Sequence, residues 1–212
     1  MPLFLRRCAA RAGHEALLRQ ELVRAHEELA PRVRGLLEIA VYREQLVGRE
    51  FLTLAIYEDD TAVMSSGRKA LLEAVDDCEG RFGEAAGTSI RLDSLYEYAS
   101  VPQAGVHSVA AMLICRQEHV PRFRERLPAA VAAMADRLTP RRLLAAQGVE
   151  RPEEFVVMAD SEQRFDVDRF LTSAFGRRHT SQLEAYLAVP PRFYLLDPVW
   201  KYFRRFSGGM RE

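Results

Sequence analysis

A partial duplication constrains the fold of this chain more than any other feature of its sequence. The stretch Arg32–Glu44 reads RVRGLLEIAVYRE, and about a hundred residues later the chain reads TPRRLLAAQGVER. Arg34, Leu36 and Leu37 recur at one common offset. Glu50 and Phe51 recur as Glu154 and Phe155 at an offset shorter by three, which fits a shorter second hairpin loop. The chain therefore contains two copies of one structural unit.

The predicted secondary structure has the same order in both copies, β-α-β-β-α-β. In the first copy the strands are PLFLRRCAA, RGLLEIAVYRE, REFLTLAIYE and IRLDSLYEYAS. A helix is predicted in AGHEALLRQELVRAHEELA, where Leu18, Leu22 and Leu29 recur at helical spacing, and another in DDTAVMSSGRKALLEAVDDC. The order begins again at SVAAMLICRQ and ends with the strand PRFYLLDPVW.

This order is that of the ferredoxin-like fold, in which a four-stranded antiparallel sheet carries both helices on one face. Strands such as LLEIAV and FVVMA are almost continuously apolar, which is typical of burial on both faces. Leaving an apolar sheet face in water costs about 25 cal/mol per Å². We therefore predict an α+β protein in which two units, 1–101 and 107–200, pack sheet to sheet as a barrel within one chain, followed by a tail over 201–212.

The segment GHEALL…GLLEIAVYRE…REFLTLAIYEDDTAVMSSGRKALLEAV resembles the antibiotic-biosynthesis-monooxygenase-like family of dimeric α+β barrels. Single-unit members of that family form the barrel as homodimers, so the resemblance implies that this chain carries both halves. Family enzymes that oxidise aromatic polyketides use neither metal nor flavin. The resemblance thus implies a cofactor-independent monooxygenase that acts on a small hydrophobic or aromatic, polyketide-like molecule.

Haem-degrading relatives place a Trp near the end of the third strand of the unit and a His on its second helix. Tyr57 matches the Trp position in the first copy, whose second helix contains no His. In the second copy the matching strand end is Ala159, and the helix contains His179. Neither copy holds both residues, which argues against haem degradation by the family's known route and leaves haem binding as a third hypothesis.

Tyr57 and His179 are the catalytic candidates, since a phenol or a neutral imidazole can hold a proton near a substrate. Tyr96, Tyr98 and His107 are candidates for ligand binding. Each has a structural alternative: a helix-surface position for His179, a buried ring at the strand edge for Tyr57, packing against a helix for the tyrosine pair, and a linker marker for His107. A binding or structural barrel protein without chemistry is therefore the main alternative function.

The remaining histidines and cysteines are predicted to have no chemical role. His14, His26 and His119 are expected at the surface, and Cys8, Cys78 and Cys115 are expected to be reduced core residues, with Cys8 equivalent to Cys115. The sequence contains no metal-ligand spacing and no phosphate-binding glycine motif. No cofactor is therefore predicted.

Thirty basic and thirty acidic side chains balance one another, so a nucleic-acid partner is not expected. The chain has no apolar run of about 18 residues and no signal peptide, which predicts a cytoplasmic protein without a membrane partner. In the tail, Trp200, Phe203 and Phe206 would share one side of a short helix. Docking against the barrel, or a homo-oligomer contact through the tail or the barrel exterior, is expected there.

Overall fold

A computed structural model of the chain describes residues 1–99, 107–138, 140–162 and 172–204, without the side chains of residues 136–138, 175 and 179. The strands are Leu3–Ala9 (β1), Leu36–Glu44 (β2), Glu50–Tyr57 (β3), Thr88–Ala99 (β4), His107–Ile114 (β5), Arg142–Gly148 (β6), Glu154–Ser161 (β7) and Arg192–Phe203 (β8). The α-helices are Glu15–Leu29 (α1), Asp60–Val63 (α2), Ser66–Phe82 (α3), Val120–Leu138 (α4) and Ala174–Glu184 (α5).

Hydrogen bonds join the strands in the order β1-β3-β2-β8-β5-β7-β6-β4, which closes into a barrel. Within the second copy, β8-β5-β7-β6 is the ferredoxin-like order. The last strand of the first copy, β4, pairs antiparallel with β6 of the second copy, from Leu92 opposite Gly148 to Ala99 opposite Arg142. Among the described strands, closure thus leaves no open edge. The predicted α+β barrel, with both halves in one chain, is confirmed.

Contacts group the chain into two compact units that do not follow the order of the sequence. The first unit contains Met1–Tyr42, Arg49–Ser89 and the described end of the chain from Val199, and the second contains Arg43–Gly48 and Ile90–Pro198. The predicted linker over 102–106 lies outside the described residues. The boundaries of the two copies, 1–101 and 107–200, stay a prediction, because these units are defined by contact and not by sequence similarity.

Matching backbone hydrogen bonds fix the correspondence between the copies. The Ala10 amide donates to the Arg49 carbonyl in the first copy, and the Cys115 amide donates to the Glu153 carbonyl in the second, both at 2.8 Å. The Arg11–Phe82 and Arg116–Tyr186 bonds, both 2.9 Å, correspond in the same way. Residues in the first strand and helix of the two copies are therefore 105 apart, and later residues are 104 apart.

This register corrects two predicted equivalences. Cys115 corresponds to Ala10, so its predicted equivalence with Cys8 is wrong. Ser161, and not Ala159, corresponds to Tyr57, because β5 pairs Ser108 with Asp160 where β1 pairs Leu3 with Ile56. A chance match of residue types misled the sequence comparison, whereas backbone pairing depends on geometry alone.

Burial follows the predicted pattern in most places. All seven residues of β6 are buried, the polar Arg142 and Gln147 included. The three cysteines are buried and unpaired, as predicted. Trp200 and Phe203 lie in strand β8, so the predicted short helix is wrong for them, and Phe206 lies outside the described residues. No described helix has the length and apolarity needed to cross a membrane.

Candidate functional site

The first unit contains a cavity between its strands and the helices α1 and α3. Its empty volume is about 400 Å³, including space that opens to solvent. Alternation along antiparallel strands brings side chains of β1 and β3 to this face, because β1 pairs Phe4 with Ala55 and Arg6 with Thr53. Tyr57 follows two residues after Ala55 and lies on the same wall. The cavity therefore has polar and aromatic side chains on its sheet side.

Arg6 is the first of two guanidinium groups that line the cavity, and acidic partners neutralise its charge. Its Nε donates to Oε1 of Glu79 at 2.8 Å, and its Nη2 contacts Oε2 of Glu79 at 2.5 Å and Oδ1 of Asp76 at 2.6 Å. Glu79 is 1% exposed, and its Oε2 also accepts the amide of Gly87 at 2.7 Å. Burial, with the Glu79 carboxylate as a second cause, raises the pKa of the neighbouring Cys8 thiol. This cluster fastens β1 to α3.

Arg68, at the start of α3, is the second guanidinium, and its partners are aromatic. Its Cζ lies 4.4 Å from the ring centroid of Phe4 and 5.6 Å from that of Tyr57. The two rings meet edge to face, with centroids 5.7 Å apart. Nη1 donates to the Val63 carbonyl at 3.2 Å, and Nε is buried without a partner among the described residues. No described carboxylate forms an ion pair with Arg68.

Tyr57 is 2% exposed and lines the cavity. Burial raises the pKa of its phenol, and the charge and hydrogen bond of Arg68 offset part of that rise. The phenol is therefore neutral at physiological pH and can donate or accept a hydrogen bond. Its catalytic role stays a prediction.

His26 is a cavity residue that the sequence reasoning missed. It was expected at the surface, but it is 1% exposed and lines the cavity. Nδ1 lies 2.6 Å from the Leu22 carbonyl, so it carries the proton and leaves Nε2 as an acceptor. The ring packs against Trp200, with centroids 5.7 Å apart. Its sequence signal was position: His26 is four residues after Leu22, on the apolar stripe of α1.

Burial holds His26 in its neutral form. Desolvation lowers the pKa of the imidazole from 6.5 to about 4, and the positive charge of Arg6 adds to this. The hydrogen bond to Leu22 and the Glu79 carboxylate act in the opposite direction. At neutral pH the cavity of the first unit thus presents an uncharged imidazole and the uncompensated charge of Arg68.

The second unit has its own cavity between strands and helices, with an empty volume of about 530 Å³ that also opens to solvent. Its described lining is apolar apart from the hydroxyl of Thr180. The register of the copies shows how this difference arose. Arg6, His26, Thr53 and Ser89 of the first unit correspond to Ala111, Val131, Val157 and Phe193, all of which line the second cavity. Among the described side chains, the second cavity therefore has no titratable group.

The other predicted site residues lie away from the first cavity. Tyr96 and Tyr98 are on β4 opposite Ala145 and Leu143; Tyr96 packs against the core of the second unit, and Tyr98 is 38% exposed. His107 begins β5, and its buried Nδ1 has no partner among the described residues. None of the three lines either cavity. The backbone of His179 lies in α5, but its side chain lies outside the described residues.

Tyr57 and His179, the two catalytic candidates, belong to different units, and their predicted roles remain predictions. Within the described ranges, no group of three or more histidine, cysteine, aspartate or glutamate side chains is arranged to hold a metal ion.

No protein-family model and no curated protein matches the chain. Solved structures do. A candidate monooxygenase from Fusobacterium nucleatum is 12% identical and superposes with a TM-score of 0.76, covering 96% of this chain and 94% of that chain. An anthrone oxidase-like protein is 10% identical, with a TM-score of 0.73 and coverage of 95% and 92%.

A ferredoxin-fold protein from Listeria monocytogenes, related to antibiotic biosynthesis monooxygenases, is 10% identical, with a TM-score of 0.51 and coverage of 92% and 94%. Identities this low establish the fold alone. The chain has the ferredoxin-like α+β barrel fold of these antibiotic-biosynthesis-monooxygenase-related proteins, with both halves in one polypeptide.

Proposed function

We propose that the first unit binds a small planar aromatic molecule in its polar cavity and oxidises it with molecular oxygen. The observation that carries this proposal is the convergence of a neutral imidazole, an uncompensated guanidinium and two aromatic rings on one cavity. The fold shared with monooxygenase-related proteins supports the reaction class. A fold hosts many functions, so the argument depends on the side chains of the cavity.

His26 is the proton acceptor in this proposal, through Nε2. With a pKa of about 4 it is a weak base. For a substrate group of pKa about 10, proton transfer to His26 would cost about 8 kcal/mol if nothing stabilised the resulting anion. Arg68 supplies that stabilisation, since its charge lies beside the cavity and is not matched by a described carboxylate. The neutral phenol of Tyr57 donates a hydrogen bond to the substrate oxygen that carries the negative charge.

The reaction needs no external reductant. An anthrone-like substrate loses one proton of its CH₂ group to His26, and the resulting enolate, held by Arg68, gives its electrons to O₂. The new carbon–oxygen bond gives a peroxide anion, which takes the proton back from His26 and becomes a hydroperoxide. Loss of water breaks the O–O bond and the second C–H bond, so that R₂CH₂ and O₂ become R₂C=O and H₂O. In this proposal the protein orients the substrate and holds the proton.

Oxygen uptake with anthrone as the probe tests the proposal. The purified chain should consume O₂ and form anthraquinone faster than buffer does. His26→Gln and Arg68→Gln should each lower the excess rate at least tenfold. His14→Gln, which removes the histidine just before the same helix and outside the cavity, should leave it unchanged. An excess rate that persists in both cavity variants would rule out this site.

The low basicity of His26 also favours a second candidate function, binding without chemistry. In that case the cavity of the first unit holds the same class of molecule and releases it unchanged. The chain would then bind aromatic probes while oxygen uptake stayed at the rate of buffer. Trp200, the single tryptophan, packs against His26, so its fluorescence can follow binding to this cavity.

A further inference from the structure

We infer that Arg68 makes the cavity of the first unit selective for planar aromatic anions over their neutral counterparts. This inference rests on the proposed use of that cavity and names the class of molecule it takes. The two guanidinium groups that line the cavity have different surroundings. Arg6 is bound by Glu79 and Asp76, so its charge is already matched.

Arg68 has no such match among the described residues. Its Nη1 donates to the Val63 carbonyl, and its Nε is buried without an acceptor among the described residues. A buried N–H without an acceptor costs free energy, and a partly buried cation costs more, unless a ligand supplies the missing oxygen. The neighbouring groups do not supply a negative charge: His26 is neutral, and burial keeps the phenol of Tyr57 protonated.

The contact of Arg68 with Phe4 limits the shape of the ligand. Because Cζ of Arg68 lies 4.4 Å from the centre of the Phe4 ring, Phe4 covers one side of the guanidinium, and a ligand must reach the group from another side. Guanidinium edges bind carboxylates and comparable planar anions through parallel N–H···O bonds. The rest of such a ligand would lie against Leu71, Leu72 and Val75 on α3, which favours an aromatic body over a polar one.

Isothermal titration calorimetry with two probes of nearly equal shape tests the inference, 2-naphthoate and its neutral amide, 2-naphthamide. The unmodified chain should bind 2-naphthoate at least tenfold more tightly. Arg68→Gln should remove that preference by weakening 2-naphthoate binding at least tenfold, while the affinity for 2-naphthamide changes less than threefold. Arg68→Lys keeps the charge and loses the planar guanidinium. Its affinity for 2-naphthoate should lie between those of the unmodified chain and of Arg68→Gln.

Lys69→Gln is the matched control. Lys69 is the next residue on α3, its side chain is 78% exposed and it pairs with Glu73 at 3.8 Å, so its replacement should leave both affinities unchanged. Equal affinities of the unmodified chain for the two probes, or 2-naphthoate binding too weak to measure, would overturn the inference. An Arg68→Gln variant that unfolds at the same temperature as the unmodified chain and still prefers 2-naphthoate would also overturn it.

The outcome is distinguishable from that of the oxidation experiment. Anion-selective binding without oxygen uptake would keep the inference and refute the oxidase. Anthrone oxidation without any preference for 2-naphthoate would do the reverse.

Discussion

At the scale of single residues, the cavity of the first unit shows that the partners of a charged side chain decide its role. Arg6 and Arg68 line the same cavity, but Arg6 is bound by two carboxylates and Arg68 lies against two aromatic rings. The first arrangement stabilises the fold, and the second leaves a charge for a ligand. Each role leads to a different kind of experiment.

Glu79→Gln should lower the free energy of unfolding by about 3 kcal/mol. The change leaves Arg6, whose side chain is 13% exposed, without its buried carboxylate, and an uncompensated buried charge is costly. Asp76→Asn is the matched control, because Asp76 is 60% exposed and contacts the same nitrogen; its loss should cost less than about 1 kcal/mol. Urea unfolding at pH 7 measures both. Equal losses would show that Glu79 does not carry the attachment of β1 to α3.

His26 should make stability depend on pH in a specific window. Between pH 6.5 and about 4 the unfolded chain binds a proton at this histidine that the folded chain does not bind. Stability therefore falls as the pH falls through this window, by about 3 kcal/mol at most. Urea unfolding at pH 7 and pH 4.5 should show this loss in the unmodified chain, and His26→Leu should remove most of it.

His14→Gln serves as the control for this pH effect, since it removes a histidine from the start of the same helix and leaves His26 buried. It should keep the full loss of stability between pH 7 and pH 4.5. A His26→Leu variant with an unchanged pH dependence would mean that another group titrates in the window, and that the imidazole of His26 is not the buried neutral group described above.

At the scale of helices and strands, most of the fold could be predicted from the sequence, because periodicity reports which face of an element is buried. The β-α-β-β-α-β order and the apolar strands were found in this way. The burial of His26 was not, although it lies on the stripe of α1 with Leu22. The prediction placed His26 at the surface and overlooked its position on the helix. The tail was also misread, because Trp200 and Phe203 fit a helical spacing by chance.

Other contacts of the site depend on pairing between distant segments, which periodicity does not report. No local pattern places Arg6 against Glu79, which is 73 residues away in the chain. The contact of Arg68 with Phe4 likewise requires α3 to lie near β1. The equivalence of the two copies was read from matching residue types and was off by two residues at Cys115, since only backbone hydrogen bonds fix it.

Two glycines near the end of α3 should respond to alanine in opposite directions. Gly80 lies inside the helix, is exposed, and has no atom within 4 Å of an added Cβ, so Gly80→Ala should stabilise the protein by about 0.5–1 kcal/mol. At Gly83, just after the helix, an added Cβ would lie 2.6 Å from the Glu79 carbonyl oxygen, so Gly83→Ala should destabilise it. Urea unfolding measures both, and a gain at Gly83 would contradict the packing described here.

At the scale of the whole molecule, the two copies share a backbone and differ in their cavities. The hydrogen bonds around Ala10 and Cys115 correspond one for one. In contrast, the guanidinium and imidazole of the first cavity are replaced by the methyl group of Ala111 and the side chain of Val131. Backbone geometry is specified by many residues together, so it tolerates such changes, whereas the chemistry of a cavity changes with each one. This difference supports the proposal that a charged aromatic molecule binds to the first copy.

Filling one cavity at a time tests this division. Ala55→Leu adds bulk to the wall of the first cavity, beside Phe4, and should weaken 2-naphthoate binding at least tenfold by occupying the space of its ring. Ala111→Leu adds the same bulk to a strand that lines the second cavity, and binding should stay within threefold of the unmodified chain. Calorimetry gives both affinities, and urea unfolding confirms that both variants fold. Loss of binding in Ala111→Leu alone would place the site in the second unit. The anion would then bind to an apolar cavity, and the role proposed for Arg68 would be refuted.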